Sequence, residues 1–237
     1  MEHVGAIVVA RVDSSRLPGK ALKEIHGKPL VHYVLERAQR VRGIDRVILA
    51  TSDRSIDDEL AAYGEGIGVP VFRGSAEDVA GRVLACIRHF DFDAFIRVCG
   101  DSPLMDQELL SKGLEILRSG DYDIVTNRVP RSYPVGMSME IFRSDLFSKG
   151  YGEMRTPEHF EHVTAYFYEN ALKYRVYNVE SGNRSYAEIS LAVDTPEDLE
   201  KFKWMLEKMG PDYLKFRVSD LIPLYFEYRK SKGRQAE

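Results

Sequence analysis

Cysteine is scarce in this chain. Among 237 residues there are two, Cys86 and Cys99, which excludes a disulfide framework. Their apolar neighbours predict reduced core thiols. Long hydrophobic runs are missing too. No segment approaches the roughly 18 consecutive apolar residues of a membrane span, and the first residues carry no charged-then-apolar leader. The expectation is a cytoplasmic protein with no membrane partner. Nor is there an excess of one charge: 33 basic against 37 acidic side chains leave a net charge of −4. That excludes a general nucleic-acid polymer as the expected partner, because phosphate-backbone binding usually shows as net basicity. A small anion needs only a local basic patch. Internal repeats, low-complexity tracts and long linkers are lacking as well. The whole span 1–237 therefore reads as one domain.

What is present is alternation. Ala6-Ile7-Val8-Val9-Ala10 is a short apolar run of the kind buried on both faces of a parallel sheet. A polar, glycine-bearing loop follows. Pro29 then opens a helix whose Leu30, Val34, Ala38 and Val41 recur at helical spacing. Further strands are expected at 46–50, 69–72, 94–99 and 123–126, with helices at 56–63, 76–89 and 106–118. This predicts an α/β domain with a mostly parallel central sheet flanked by helices. After Asn127 the pattern loosens. A strand is expected at 138–142, a helix at 157–170, strands at 173–179 and 188–193, a helix at 195–209, a short helix at 220–228, and a frayed tail from Ser231.

In an open parallel sheet, ligands bind beyond the carboxyl ends of the strands. Three loops leave such ends with distinctive residues. Residues 11–20, RVDSSRLPGK, offer three cations, two hydroxyls and a Gly beside a Pro. Cations and free backbone N–H groups suit a phosphate chain. A solvated turn has the same composition, and the Walker spacing is not there. Gly100-Asp101-Ser102-Pro103 follows a buried strand; Asp101 reads as a Mg²⁺ ligand or as a turn residue. Val193-Asp194-Thr195-Pro196 ends another strand and opens a helix; Asp194 reads as a second carboxylate for the same ion or as a cap.

Two acidic pairs look like metal sites and are set aside. Asp91-Phe92-Asp93 and Asp121-Tyr122-Asp123 have DxD spacing, but each precedes its strand and so belongs to the opposite edge of the sheet. Glu158-His159-Phe160-Glu161-His162 places imidazoles at i and i+3 without HExxH spacing or an evident third ligand.

At this point the residues resemble a family. Ala10-Arg11-Val12-Asp13-Ser14-Ser15-Arg16-Leu17-Pro18-Gly19-Lys20, running on to Gly27-Lys28-Pro29-Leu30, is similar to the opening of the cytidylyltransferases. These include the KDO and acylneuraminate enzymes and, above all, the spore-coat polysaccharide branch. The resemblance continues through Phe72-Arg73-Gly74-Ser75 with Asp78 and Arg82. It takes in the segment from Arg97 to Leu104, then Tyr133-Pro134-Val135-Gly136 with Glu140, Glu161-His162-Val163-Thr164, and Val193-Asp194-Thr195-Pro196.

The resemblance implies the nucleotide-diphospho-sugar transferase (GT-A, Rossmann-like) fold. It also implies Mg²⁺-dependent transfer of a cytidylyl group from CTP to an oxygen of an acidic sugar or sugar phosphate, with release of pyrophosphate. Arg16, Lys20 and Asp101 would be catalytic. Ala10, Arg11, Val12, Asp13, Ser15, Arg16, Lys20, Gly74, Ser75, Asp78 and Arg97 would surround the nucleotide. Asp101 and Asp194 would hold the metal, and Asn127, Gly136, Glu140, Glu161 and His162 would line the acceptor side. The irregular stretch at about 130–180 would serve acceptor binding and a homodimer contact.

There are departures. Ser138 stands where the spore-coat branch often has Asp, Cys99 stands where Thr is usual, and the KDO enzymes' SGTDR-like motif is not found. Three rivals stay open: a sugar-1-phosphate nucleotidylyltransferase using UTP or another nucleotide, a metal-dependent GT-A glycosyltransferase, and a non-catalytic nucleotide-binding protein.

Overall fold

A computed structural model describes residues 3–233. β1 (Val4–Val9) lies inside a seven-stranded sheet. Its β-branched run explains the place: Val4, Ala6 and Val8 are fully buried on one face, and Ile7 on the other. A small hairpin, β2 (Glu24–Ile25) with β3 (Lys28–Pro29), leads into α1 (Leu30–Ala38). Then come β4 (Arg46–Ser52), α2 (Asp58–Gly66), β5 (Val71–Gly74), α3 (Val79–His89), β6 (Ala94–Cys99), α4 (Gln107–Ser119) and β7 (Ile124–Thr126). The remainder is β8 (Glu140–Arg143), α5 (Ser144–Glu153), α6 (Pro157–Glu161), α7 (Ala165–Glu169), β9 (Val176–Asn178), α8 (Pro196–Met209) and α9 (Val218–Gly233).

Across the sheet the order is β5-β4-β1-β6-β8-β7-β9. Every pairing is parallel except those of β8, which runs against β6 and β7. The expected α/β fold with a mostly parallel sheet is therefore what forms. One core, with Leu30, Val34, Leu114 and Phe202, fills one face of the sheet. On the other, Phe95, Phe142, Phe147 and Phe167 pack ring to ring at 5.0–6.0 Å between centroids. Burial of each such ring stabilises by about 1.5–3 kcal/mol.

The irregular half departs from expectation. The helix expected at 157–170 is two short helices, because Val163 takes a left-handed backbone (φ 41°) between them. α5 was not expected; its sequence SDLFSKGYGE holds two glycines and little apolar periodicity. The strand expected at 188–193 does not join the sheet. Its one bridge is Ser190 to Val135, while Leu191 and Val193 are buried. The strand expected at 173–179 shortens to β9. The tail continues as helix to Gly233, and its last four positions, 234–237, lie outside the described residues. Among the described residues no helix is long and apolar enough to cross a membrane.

Candidate active site

The loop after β1 is folded tightly by its own backbone. Ser14 and Gly19 N–H groups both donate to the Val12 carbonyl, at 2.9 and 3.0 Å. Gly19 needs its left-handed φ of 70° to close this turn. Leu17 is buried and ties the loop to the core. Beneath it, buried Asp57 accepts from the Val12 N–H at 2.7 Å and from the Ser52 hydroxyl. This anchoring delivers Lys20 to the other two loops. Its ammonium donates to Asp101 Oδ2 at 3.0 Å and to Asp194 Oδ1 at 2.7 Å. Arg16 reaches the same Asp194 oxygen at 3.0 Å. The Val193 N–H donates to the Asp101 carbonyl at 2.9 Å, which joins the second and third loops. Burial alone would lower the Lys20 pKa, but the two carboxylates outweigh it and raise the value above its ordinary range.

These loops wall a cleft of about 550 Å³ at the carboxyl edge. Ala10, Arg11, Asp13, Ser15, Arg16, Lys20, Arg97, Asp101 and Asp194 line it, with Glu161 and His162 from the far side. Arg11 spans the cleft: it donates to the Ala76 carbonyl at 2.5 Å and to Glu161 at 2.9 Å. Asp13 pairs with Arg54 and, at 3.4 Å, with Arg11. Burial pushes its pKa up, but these guanidiniums bring it below the usual value.

Other expected site residues lie elsewhere. Val12, expected to meet the nucleotide through its backbone, packs its side chain on the core. Gly74, Ser75 and Asp78 are not on the cleft wall. Asp78 caps α3, accepting from Gly81 N–H at 2.7 Å and from the Tyr151 hydroxyl at 2.6 Å. Asn127, Gly136 and Glu140 also stay off the wall. The buried Asn127 amide clamps its own loop, donating to Met137 O at 2.7 Å and accepting from Met139 N–H at 2.8 Å. Gly136 has φ 90°, and a Cβ there would sit 2.6 Å from the Ala192 nitrogen.

Glu140 is fully buried beneath the wall. It accepts from Arg97 at 2.6 Å, Thr164 at 2.7 Å and Tyr168 at 2.9 Å, with Arg128 at 3.4 Å. Burial pushes its pKa up, but Arg97 and Arg128 hold it down at about 2.

The structure also adds residues. Cys99, expected in the core, is partly exposed on the cleft wall, where burial still lifts its thiol to about 11. The signal was available: strand alternation puts Cys99 on the same face as Arg97. Arg82 belongs to the 73–82 segment that the resemblance puts near the nucleotide, and it is nearly fully buried at the wall; one guanidinium nitrogen donates to Ser75 O at 2.8 Å, while Nε and Nη2 have no partner. The histidines of the 158–162 run diverge. His159 is buried against Glu169 at 2.8 Å, and His162 faces the cleft. Among the described residues no group of three or more His, Cys, Asp and Glu is placed to hold a metal ion.

A model of the cytidylyltransferase family matches residues 5–216. The chain belongs to that family. The spore coat polysaccharide biosynthesis protein SpsF of Bacillus subtilis (strain 168) is 33% identical over 234 residues, 94% of each chain. A 3-deoxy-manno-octulosonate cytidylyltransferase of Aeromonas salmonicida (strain A449) is 37% identical over 129 residues, 52% of this chain and 49% of that enzyme. A solved cytidylyltransferase from Leptospira borgpetersenii serovar Hardjo-bovis (strain JB197) superposes with a TM-score of 0.91 at 28% identity, covering 97% of this chain and 96% of that one. The cytidylyltransferase fold thus places the three loops, which are far apart in sequence, at one sheet edge.

Proposed function

We propose that the protein transfers a cytidylyl group from CTP to an oxygen of an acidic sugar or sugar phosphate and releases pyrophosphate. One observation carries this reading: Arg16, Lys20, Asp101 and Asp194, from three loops, meet in one cleft. Family membership supplies the reaction class. The part-length likeness to a 3-deoxy-manno-octulosonate cytidylyltransferase supports an acidic acceptor, and the likeness to SpsF supports a role in surface polysaccharide precursor synthesis.

In this reading the acceptor oxygen attacks the α-phosphorus, a hydroxyl acceptor yields its proton to solvent, and the pyrophosphate departs with the bonding electron pair. The protein's work is positioning and charge stabilisation. Arg16 and Lys20 meet the negative charge growing on the leaving group, and Arg11 closes over the nucleotide from the side. Asp101 and Asp194 are hard oxygen donors close enough to share one ammonium, so they fit a small divalent cation that keeps several waters. When bound there, Mg²⁺ supplies Lewis-acid neutralisation of phosphate charge. The cytoplasm is the compartment that fits this donor.

A homodimer belongs to the same proposal. Of the seven large hydrophobic side chains exposed among the described residues, Val129, Val135, Leu172 and Tyr177 lie on the irregular stretch. Light scattering on the eluting protein reads the mass directly.

Pyrophosphate release with CTP, measured across an acceptor panel, tests the function. The same assay with UTP separates the rival nucleotidylyltransferase. Asp101→Asn is expected to abolish release with an unchanged circular dichroism spectrum. Near-normal turnover in that variant would sink the metal assignment.

A further inference from the structure

Beside the cleft, three guanidiniums surround one carboxylate. Arg97 and Arg128 both pair with Glu140, at 2.6 and 3.4 Å. Arg131 finds only neutral partners: Nη1 donates to the Pro134 carbonyl at 3.4 Å and Nη2 to the Ser138 hydroxyl at 3.3 Å. Burial lowers its pKa and the neighbouring Arg128 lowers it further, so like charges lie close together. Arg97 lines the cleft itself. Glu140 ties Arg128 to Arg97 on that wall.

The other carboxylates of the cleft make their ion pairs with other cations, although Asp101 also lies near enough to act on Arg97, and Asp13 pairs with Arg11 and Arg54. Asp101 and Asp194 engage Lys20, and Glu161 engages Arg11. Three arginines against Glu140 leave two positive charges. Arg128 and Arg131 are both partly exposed, so a ligand can reach them. Their loop leaves the carboxyl end of β7, on the edge that carries Lys20. Guanidinium forks are suited to phosphate oxygens, which they contact in pairs.

We infer that Arg97, Arg128 and Arg131 form an anion site for the acceptor, and that the acceptor carries a phosphate monoester. The inference rests on the cytidylyl-transfer reading and narrows its acceptor. A phosphate dianion matches both surplus charges, whereas a carboxylate leaves one uncompensated. Ser138 sets this balance, because it offers Arg131 a hydroxyl and no charge.

The test is calorimetric titration of inorganic phosphate into the full chain saturated with α,β-methylene-CTP, which blocks the nucleotide's own phosphate sites. Acetate serves as the carboxylate probe. Phosphate is expected to bind, and acetate to bind at least about tenfold more weakly, in keeping with the greater strength of doubly charged contacts. Arg131→Gln removes charged hydrogen bonds and is expected to weaken phosphate by at least about tenfold. Ser138→Asp puts a carboxylate against Arg131 and is expected to do the same, while Ser138→Asn, of equal size and no charge, leaves binding within about twofold. Arg131→Lys keeps the charge and recovers part of the affinity. In turnover, Arg131→Gln is expected to raise KM for a sugar phosphate and leave KM for CTP unchanged.

Phosphate binding indifferent to Arg131→Gln and Ser138→Asp overturns the inference, as does acetate binding as tightly as phosphate. Failure of the nucleotide analogue to bind strikes the CTP reading instead. The same variants titrated with phosphate in the nucleotide-free protein then still decide the anion site.

Discussion

The ammonium of Lys20 lies 2.7 Å from the carboxylate of Asp194, a residue 174 positions further along the chain. The short turn closed by Gly19 brings one partner, and the loop before α8 brings the other. Neither is held by its neighbours in sequence alone. The contact exists because β1 and β6 are adjacent parallel strands whose ends open on the same edge. The Asp101 carbonyl then holds the 193–194 segment against them.

Lys20→Met keeps the length of the side chain and removes its charge. Pyrophosphate release is expected to fall by about 10²–10³, the loss typical of one preorganised charge-stabilising donor. Circular dichroism should match the parent. A rate within threefold of the parent removes Lys20 from the reaction.

Glu140 makes stability depend on acid. Facing it are Arg97 from β6, Arg128 from the loop after β7, and Thr164 and Tyr168 at α7. Its folded pKa of about 2 lies below the ordinary 4.5. A depressed carboxylate contributes fully above its unfolded pKa, and the contribution is lost as pH falls from 4.5 towards 2. The shift corresponds to about 3 kcal/mol. Urea unfolding from pH 6 down to pH 3 is expected to show this loss in the parent and a flatter dependence in Glu140→Gln.

The paired acids Asp121 and Asp123 sit at the amino edge, as their position before β7 predicts. Arg175 holds both, donating to Asp123 at 2.5 and 3.0 Å. The double variant Asp121→Asn with Asp123→Asn is therefore expected to turn over within about twofold of the parent, since exposed ion pairs contribute roughly 0–1 kcal/mol. Collapse of activity would instead favour a glycosyltransferase-like metal site there.

Gly136→Ala tests whether that glycine is structural. Its φ of 90° and the Ala192 nitrogen 2.6 Å from where a Cβ would sit leave a methyl no room. A loss of about 1–3 kcal/mol is expected in chemical denaturation. KM for CTP measured on the folded fraction should stay unchanged.

Legibility followed locality. The strands β1, β4 and β6 could be read because each is a short buried run between polar loops, and the carboxyl-edge rule then points Arg16, Lys20 and Asp101 to the cleft; Asp194 arrives there on a segment that is no sheet strand, held by the Asp101 carbonyl. The half after Asn127 was harder. Residues 188–193 have the buried apolar residues of a strand, yet they pack beside Val135 and under α8 without a continuous neighbour. The helix at 157–170 breaks at Val163, a residue type that rarely accepts a left-handed backbone. Asn127, Gly136 and Glu140 were expected at the acceptor. They hold the wall up from behind it, and burial of that kind is set by what packs above a residue.

The near-balanced net charge shows the same division. By itself the sequence determined that the two signs of charge nearly balance, that the fold is α/β with a mostly parallel sheet, and which three loops carry unusual charge. These follow from composition and short-range pattern. Only the tertiary structure decided how those charges pair. It set Lys20 between two aspartates and buried Glu140 under two arginines, leaving Arg131 facing a serine. Pairing depends on distances of a few ångströms across the sheet edge, and no linear spacing encodes them.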